Sequence, residues 1–187
     1  MLNKAFFMDR DGTLNIDHDF VHLKDEWNWI PGVPQTLKKL HDSGFKLIVV
    51  TNQSGISRER FTLEQVNALH EWVNQKLFED MGFMIDALYI APWHPDFHHD
   101  KDPALLDERK PGTVLFKKAA ERFNIDFSQS FMAGDKSSDI KPALELGMTP
   151  FLVKSRFTDD KLIDWAKRNN VAFFPTINEA VDEVLGL

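Results

Sequence analysis

Short apolar runs bounded by turn residues alternate along the chain with stretches whose apolar positions recur every three or four residues. Ala5–Met8, Lys46–Thr51, Ala87–Ile90, Phe131–Ala133 and Phe151–Val153 have the length and bounds of buried parallel strands, and Val171–Phe174 is a sixth candidate. The intervening stretches predict helices. Pro34 opens one that turns Leu37 and Leu40 inward and stops before Gly44. Thr62 and Gln65 form a capping box for the next, flanked by Phe61 and Val66, with Leu63, Val66, Leu69, Val73 and Leu77 in one stripe. Thr113–Phe123, Ser138–Leu146 with Gly147 after it, and Thr158–Arg168 complete the set.

Strands alternating with covering helices predict an α/β fold: a three-layer, doubly wound, mostly parallel sheet in one domain over residues 1–187. Ligands of such sheets bind beyond the carboxyl ends of the strands. The two long connections, Asn15–Pro31 and Ala91–Pro111, leave that edge, and connections of this length in a compact domain are often functional.

Composition narrows the function classes. The 187 residues carry 22 Lys plus Arg against 29 Asp plus Glu, a net charge of -7, which offers no broad cationic footprint for nucleic acid. Zero cysteines exclude disulfides, reactive thiols and thiolate metal sites. No run approaches the roughly 20 apolar residues of a membrane span, and the apolar start is too short for a signal peptide. No membrane partner is expected, and the expected address is the cytoplasm. Without a heptad or exposed apolar repeat, a monomer is the expected state.

Candidate chemistry gathers at the predicted carboxyl edge. The first strand runs into Asp9-Arg10-Asp11-Gly12-Thr13, placing two carboxylates two residues apart, on one side of extended backbone. Such a pair can share a hard cation while one acid attacks an electrophile and the other moves a proton. The second strand ends Thr51-Asn52-Gln53-Ser54-Gly55, whose hydroxyl, amide and backbone N–H groups can hold phosphate oxygens. The fourth ends Gly134-Asp135-Lys136-Ser137-Ser138-Asp139; Asp135 suits Mg²⁺, and Asp139 suits either the same ion or the start of the following helix. Arg109-Lys110 adds two cations before a helix. Each segment alone is ordinary turn or surface chemistry. Four of them at one edge point to a single site.

In this order the four segments resemble the motifs of the haloacid dehalogenase phosphatase superfamily. DRDGTLN, NIDHDFVH, VVTNQSGISR, RKPG and AGDKSSD resemble, more narrowly, its D,D-heptose 1,7-bisphosphate 7-phosphatase group, related to histidinol-phosphate phosphatases. The likeness spans roughly residues 5 to 154. It implies Asp9 as the nucleophile that becomes an aspartyl-phosphate, and Asp11 as the acid that protonates the leaving alkoxide and then activates water. Thr51 and Lys110 would hold the transferring phosphoryl group. Mg²⁺ would sit on Asp9, the Asp11 backbone carbonyl and Asp135. Asn52, Gln53, Ser54, Arg109 and Lys136 would contact substrate, and Asp17, His18, Asp19 and Phe20 would contribute a flap. The implied partner is a small phosphorylated metabolite, a sugar bisphosphate, handled without a large cap domain.

The chain departs from that group in one loop. Its members commonly carry zinc on Cys and His ligands between the third strand and the Arg-Lys pair, where this chain has Ala91, Leu106 and Glu108 at the apparent cysteine positions. Structural zinc is therefore not expected, although His94, His98 and His99 with Asp96 or Asp100 retain metal-ligating groups. Trp72 and Trp165 read as packing residues from their helical spacing, while Trp27, Trp29 and Trp93 are candidates for substrate stacking. Histidinol phosphate and a nucleic-acid 3′-phosphate are alternative substrates. A phosphoryl-accepting receiver domain is the non-enzymatic alternative; it lacks the second acid that Asp11 supplies.

Overall fold

The computed structural model describes residues 2–97 and 103–187. Six strands, β1 (Ala5–Met8), β2 (Lys46–Asn52), β3 (Ala87–Ala91), β4 (Phe131–Gly134), β5 (Thr149–Val153) and β6 (Ala172–Phe174), form one sheet in the order β3-β2-β1-β4-β5-β6. Every pairing is parallel.

The two-residue period of the strands sorts their side chains into two cores. Phe6 and Met8 join Leu47 and Val49 on one face, covered by α1 (Val33–Asp42), α2 (Leu63–Met81) and α7 (Ile177–Leu185). Ala5 and Phe7 join Ile48 and Val50 on the other, under α4 (Val114–Phe123) and α5 (Ser137–Leu146). Ile140, Leu152, Val171 and Ala166 of α6 (Asp160–Arg168) seal the far end, and α3 (Pro103–Leu106) is a single turn before α4. Burying both sheet faces explains why the strands read as continuous apolar runs. The expected three-layer doubly wound fold is the one observed. No helix among the described residues is long and apolar enough to cross a membrane.

Differences from the sequence expectation are local. Leu63 is 39% exposed, whereas Val66, Leu69, His70, Val73 and Leu77 form the buried stripe. At 3.6 residues per turn Leu63 lies about 60° off the centre of that stripe. Helix α7 was not anticipated, although Thr176 and Glu179 form a capping box at its start, as Thr62 and Gln65 do for α2. Strand β5 starts two residues earlier than the expected Phe151, at Thr149, with Pro150 as its second residue. Trp72 and Trp165 pack against the cores as expected; Trp27 and Trp29 do so too, in an edge-to-face pair with centroids 5.0 Å apart.

The strand order fixes where a ligand can sit. The chain winds outward from β1 to β2 and β3, then returns to place β4 on the other side of β1. Asp9 N continues the ladder to Ala133 O at 3.0 Å, so Asp9 leaves β1 at the point where the winding reverses. The carboxyl ends diverge there and leave a crevice.

Candidate active site

Asp9 is only 6% exposed at the floor of that crevice, and its carboxylate has a charged partner. Lys110, 2% exposed, donates its three ammonium protons to Asp9 Oδ1 at 2.7 Å, Asp139 Oδ1 at 2.8 Å and Val50 O at 2.6 Å. All donors of the group are thereby used. Burial opposes the charge on Lys110, but Asp139 and Asp9 overcome it and raise its pKa. Burial raises the pKa of Asp9 as well, against the pull of Lys110. The lysine is held by its own backbone: Asn52 Oδ1 accepts from Lys110 N at 2.9 Å, and Asn52 Nδ2 donates to Lys110 O at 3.1 Å.

Asp135 follows Gly134 at the end of β4 and is completely buried. Neither of its carboxylate oxygens has a hydrogen-bond partner, and Lys136 Nζ stands 3.4 Å from Oδ1. Burial, then the charges of Asp139 and Asp9, push its pKa up to about 7. Asp9, Asp135 and Asp139 each offer an oxygen within 4.8 Å of the others. Three buried carboxylates against the two ammonium groups of Lys110 and Lys136 leave an excess of negative charge, and Asp135 has lone pairs to spare. That donor set fits a hard divalent cation such as Mg²⁺. Asp139 is otherwise engaged, because Oδ1 accepts from Lys110 and Oδ2 from Lys136 N at 2.9 Å, which caps α5. Asp139 thus starts the helix, one of its two expected roles, while remaining within the acidic cluster. Two glycines allow this crowding: a Cβ at Gly134 would lie 2.3 Å from Asp139 Cβ. One at Gly12, whose φ is +82°, would lie 2.7 Å from Asp135 Oδ2.

Asp11 also lines the crevice and is ringed by donors. Arg10 Nε and Nη2 reach Asp11 Oδ2 at 3.1 and 2.8 Å, Asn15 Nδ2 reaches Oδ1 at 3.0 Å, and Gln53 Nε2 reaches Oδ2 at 2.8 Å. Burial alone would raise the Asp11 pKa; the Arg10 charge and the hydrogen bonds from Asn15, Arg10 and Gln53 bring it below the usual carboxylate range. Arg10 is itself wholly buried, with Nη2 donating to Val21 O at 2.6 Å and Nη1 lying 3.2 Å from His70 Nε2. Burial, then Arg10, lower the His70 pKa to about 3, so the ring is neutral at ordinary pH. Gln53 Nε2 also donates to Thr51 Oγ1 at 2.9 Å, tying the first two motifs together.

Asp17, Asp19, Phe20, Ser54, Arg109 and Lys136 complete the expected part of the wall. His18 is exposed and does not line it. Sequence reasoning missed Ser138, Arg156 and Phe157, which line the same cavity. Arg156 and Phe157 follow β5, so the carboxyl-edge rule applied to that strand as well would have found them. Trp27, Trp29 and Trp93 are not among the lining residues. In the loop before Arg109, Trp93 Nε1 donates to Glu108 Oε2 at 3.1 Å, and Lys118 Nζ donates to Glu108 Oε1 at 2.6 Å. Arg109 Nη1 donates to Trp93 O at 3.4 Å. Of the possible metal ligands in this loop, His98, His99 and Asp100 lie outside the described residues.

Comparison with known proteins agrees with this geometry. The D-glycero-beta-D-manno-heptose-1,7-bisphosphate 7-phosphatase of Haemophilus ducreyi is 44% identical over 156 residues, covering 83% of this chain and 85% of that protein. The enzyme of the same name from Escherichia coli K12 is 39% identical over 152 residues, covering 81% and 79%. The crystal structure of D,D-heptose 1.7-bisphosphate phosphatase from B. bronchiseptica, complexed with magnesium and phosphate, superposes with a TM-score of 0.84. It is 28% identical, and the match covers 98% of both chains. The family model described as polynucleotide kinase 3 phosphatase matches residues 4–175. The chain therefore belongs to the polynucleotide kinase 3 phosphatase family, within the haloacid dehalogenase phosphatases.

Proposed function

We propose that this phosphatase removes the 7-phosphate of D-glycero-D-manno-heptose 1,7-bisphosphate through an aspartyl-phosphate on Asp9, with Mg²⁺ as its cofactor. One observation carries the chemistry: a buried carboxylate at the winding reversal, held by Lys110 and next to the wholly buried carboxylate of Asp135, which Lys136 Nζ approaches to 3.4 Å. The substrate class follows that of the relatives near 40% identity.

Lys110 fixes one Asp9 oxygen and leaves the other to attack phosphorus. The new O–P bond forms as the bond to the sugar oxygen breaks, and Asp11 gives that oxygen its proton. Asp11 rests ionised beside Arg10; an arriving phosphate dianion opposes the guanidinium charge and favours the protonated acid. Asp11 then takes a proton from the water that attacks phosphorus, which frees inorganic phosphate and restores Asp9. Thr51 and Ser54 supply donors to the transferring oxygens, Lys110 adds its positive charge beside them, and Asn52 and Gln53 hold Lys110 and Asp11 in place. Arg109 and Lys136 provide positive charge for the distal phosphate, while Asp17, Asp19 and Phe20 form the flap over the sugar. Asp9, Asp135 and the Asp11 carbonyl would hold Mg²⁺, which when bound supplies positive charge to the phosphoryl oxygens as they reorganise. The Trp93–Glu108 hydrogen bond joins the two halves of the neighbouring loop and supports a site that works without structural zinc. A water-soluble sugar bisphosphate suits a monomeric cytoplasmic enzyme, and the net charge of -7 supports a small metabolite over a polynucleotide.

The deciding experiment measures phosphate release from both anomers of heptose 1,7-bisphosphate, histidinol phosphate and a 3′-phosphorylated oligonucleotide. The heptose substrate is expected to have the highest kcat/KM, and Asp9→Asn to release no phosphate from any of them. Preference for the oligonucleotide would replace the proposed substrate; full activity of Asp9→Asn would remove the mechanism.

A further inference from the structure

The cavity that receives a phosphate ester is lined by Asp17 and Asp19 as well as by cations. Two carboxylates in the wall of an anion-binding cleft repel their ligand unless something cancels them. Arg156, from the loop after β5, meets both. Its Nη1 donates to Asp19 Oδ2 at 2.9 Å, its Nη2 donates to Asp19 Oδ1, and the same Nη2 lies 3.3 Å from Asp17 Oδ1.

We propose that Arg156 is a positioning residue that sets the affinity of the cleft for anionic substrates by neutralising Asp17 and Asp19 and pinning the segment that carries them. Asp19 and Phe20 are consecutive non-glycine residues in the left-handed region, with φ of 64° and 56°, a conformation that needs outside support. Support comes from Arg156 on Asp19 and from Arg60, whose guanidinium lies 4.2 Å from the centroid of the Phe20 ring. Phe157, under Arg156 at 4.7 Å and Lys136 at 4.4 Å, forms the facing wall. The Arg156 and Asp19 side chains are 41% and 65% exposed, so their pairing contributes little to folding. Its effect falls on the charge and shape of the cleft. Exposure also makes that effect sensitive to salt.

This inference rests on the cleft taking a phosphate ester, and the test separates the two. Steady-state kinetics on heptose 1,7-bisphosphate compare wild type, Arg156→Ala, Arg156→Gln and the triple variant Arg156→Ala/Asp17→Asn/Asp19→Asn at low and high salt. Both single variants are expected to raise KM about threefold to fivefold at low salt, with kcat within about twofold and a smaller change at high salt. The triple variant is expected to recover the part of the KM rise that comes from uncancelled charge, with a KM below that of Arg156→Ala and a weaker dependence on salt, a rescue that loss of a purely structural contact does not give. A triple variant as weak as Arg156→Ala would overturn the proposal and make Arg156 a direct substrate contact. Unchanged KM in both single variants would overturn it outright. Absence of phosphate release by the wild type would instead remove the underlying assignment.

Discussion

Asn52 and Lys110 clasp each other through two hydrogen bonds of 2.9 and 3.1 Å, the amide of one reading both backbone groups of the other. The end of β2 thereby sets the position of a lysine 58 residues further along the chain. Asn52→Ala is expected to lower kcat/KM about tenfold with little change in unfolding temperature, because small displacements of a charge beside the nucleophile are costly. Kinetics and a thermal melt on the same sample check this. An undiminished kcat/KM would show that Lys110 holds its place without the clasp.

Asp135 links metal binding to pH. Its folded pKa of about 7 lies above its ordinary value of 3.8, so the metal-free folded state holds a proton that the unfolded chain has lost between those values. Stability from this group is full below about pH 4 and declines as pH rises through 7. Asp135→Asn should therefore raise the melting temperature of the metal-free protein at pH 8 by a few degrees. Stabilisation of the wild type by Mg²⁺ should grow from pH 5 to pH 8 and be lost in the variant. Calorimetry with chelator, then with added Mg²⁺, measures both.

Asp11 differs from Asp9 in the substrate it matters for. A proton on the leaving oxygen matters most when that oxygen is a poor leaving group. Asp11→Asn should reduce hydrolysis of a sugar phosphate at least about a hundredfold and that of p-nitrophenyl phosphate far less. Equal losses on the two substrates would argue against proton transfer by Asp11.

Gly134 has no space for a side chain, since its Cβ would fall 2.3 Å from that of Asp139. Gly134→Ala is expected to displace Asp139 from Lys110, destabilise the protein by about 1–3 kcal/mol and reduce activity at least about tenfold. Denaturant unfolding and phosphate release report the two effects separately.

Much of this organisation was legible in the sequence because local signals and global fold agree. The continuous apolar run of Ala5–Met8 marked a strand covered on both faces, and the Thr62–Gln65 box marked the start of α2 to the residue. The acids, small polar groups and cations at the strand ends could be placed because the carboxyl-edge rule is topological and needs no side-chain geometry. What stayed hidden depends on contacts between distant segments. Nothing local in Asn52 says that its amide is spent on Lys110, and nothing in the Asp17 segment says that it meets Arg156, 139 residues away. The Thr176–Glu179 box of α7 was readable by the same rule as that of α2.

The winding reversal at β1 also makes the site a reporter on assembly of the whole sheet. Asp9, Thr51, Lys110 and Asp135 come from four separated stretches that meet only when β2 and β4 have both docked against β1. A fragment ending before β4 lacks Asp135, and one beginning after β1 lacks the nucleophile. Turnover during refolding should therefore appear only after the last central strand has docked, and lag behind the recovery of helical signal. Phosphate release then serves as a clock for tertiary closure.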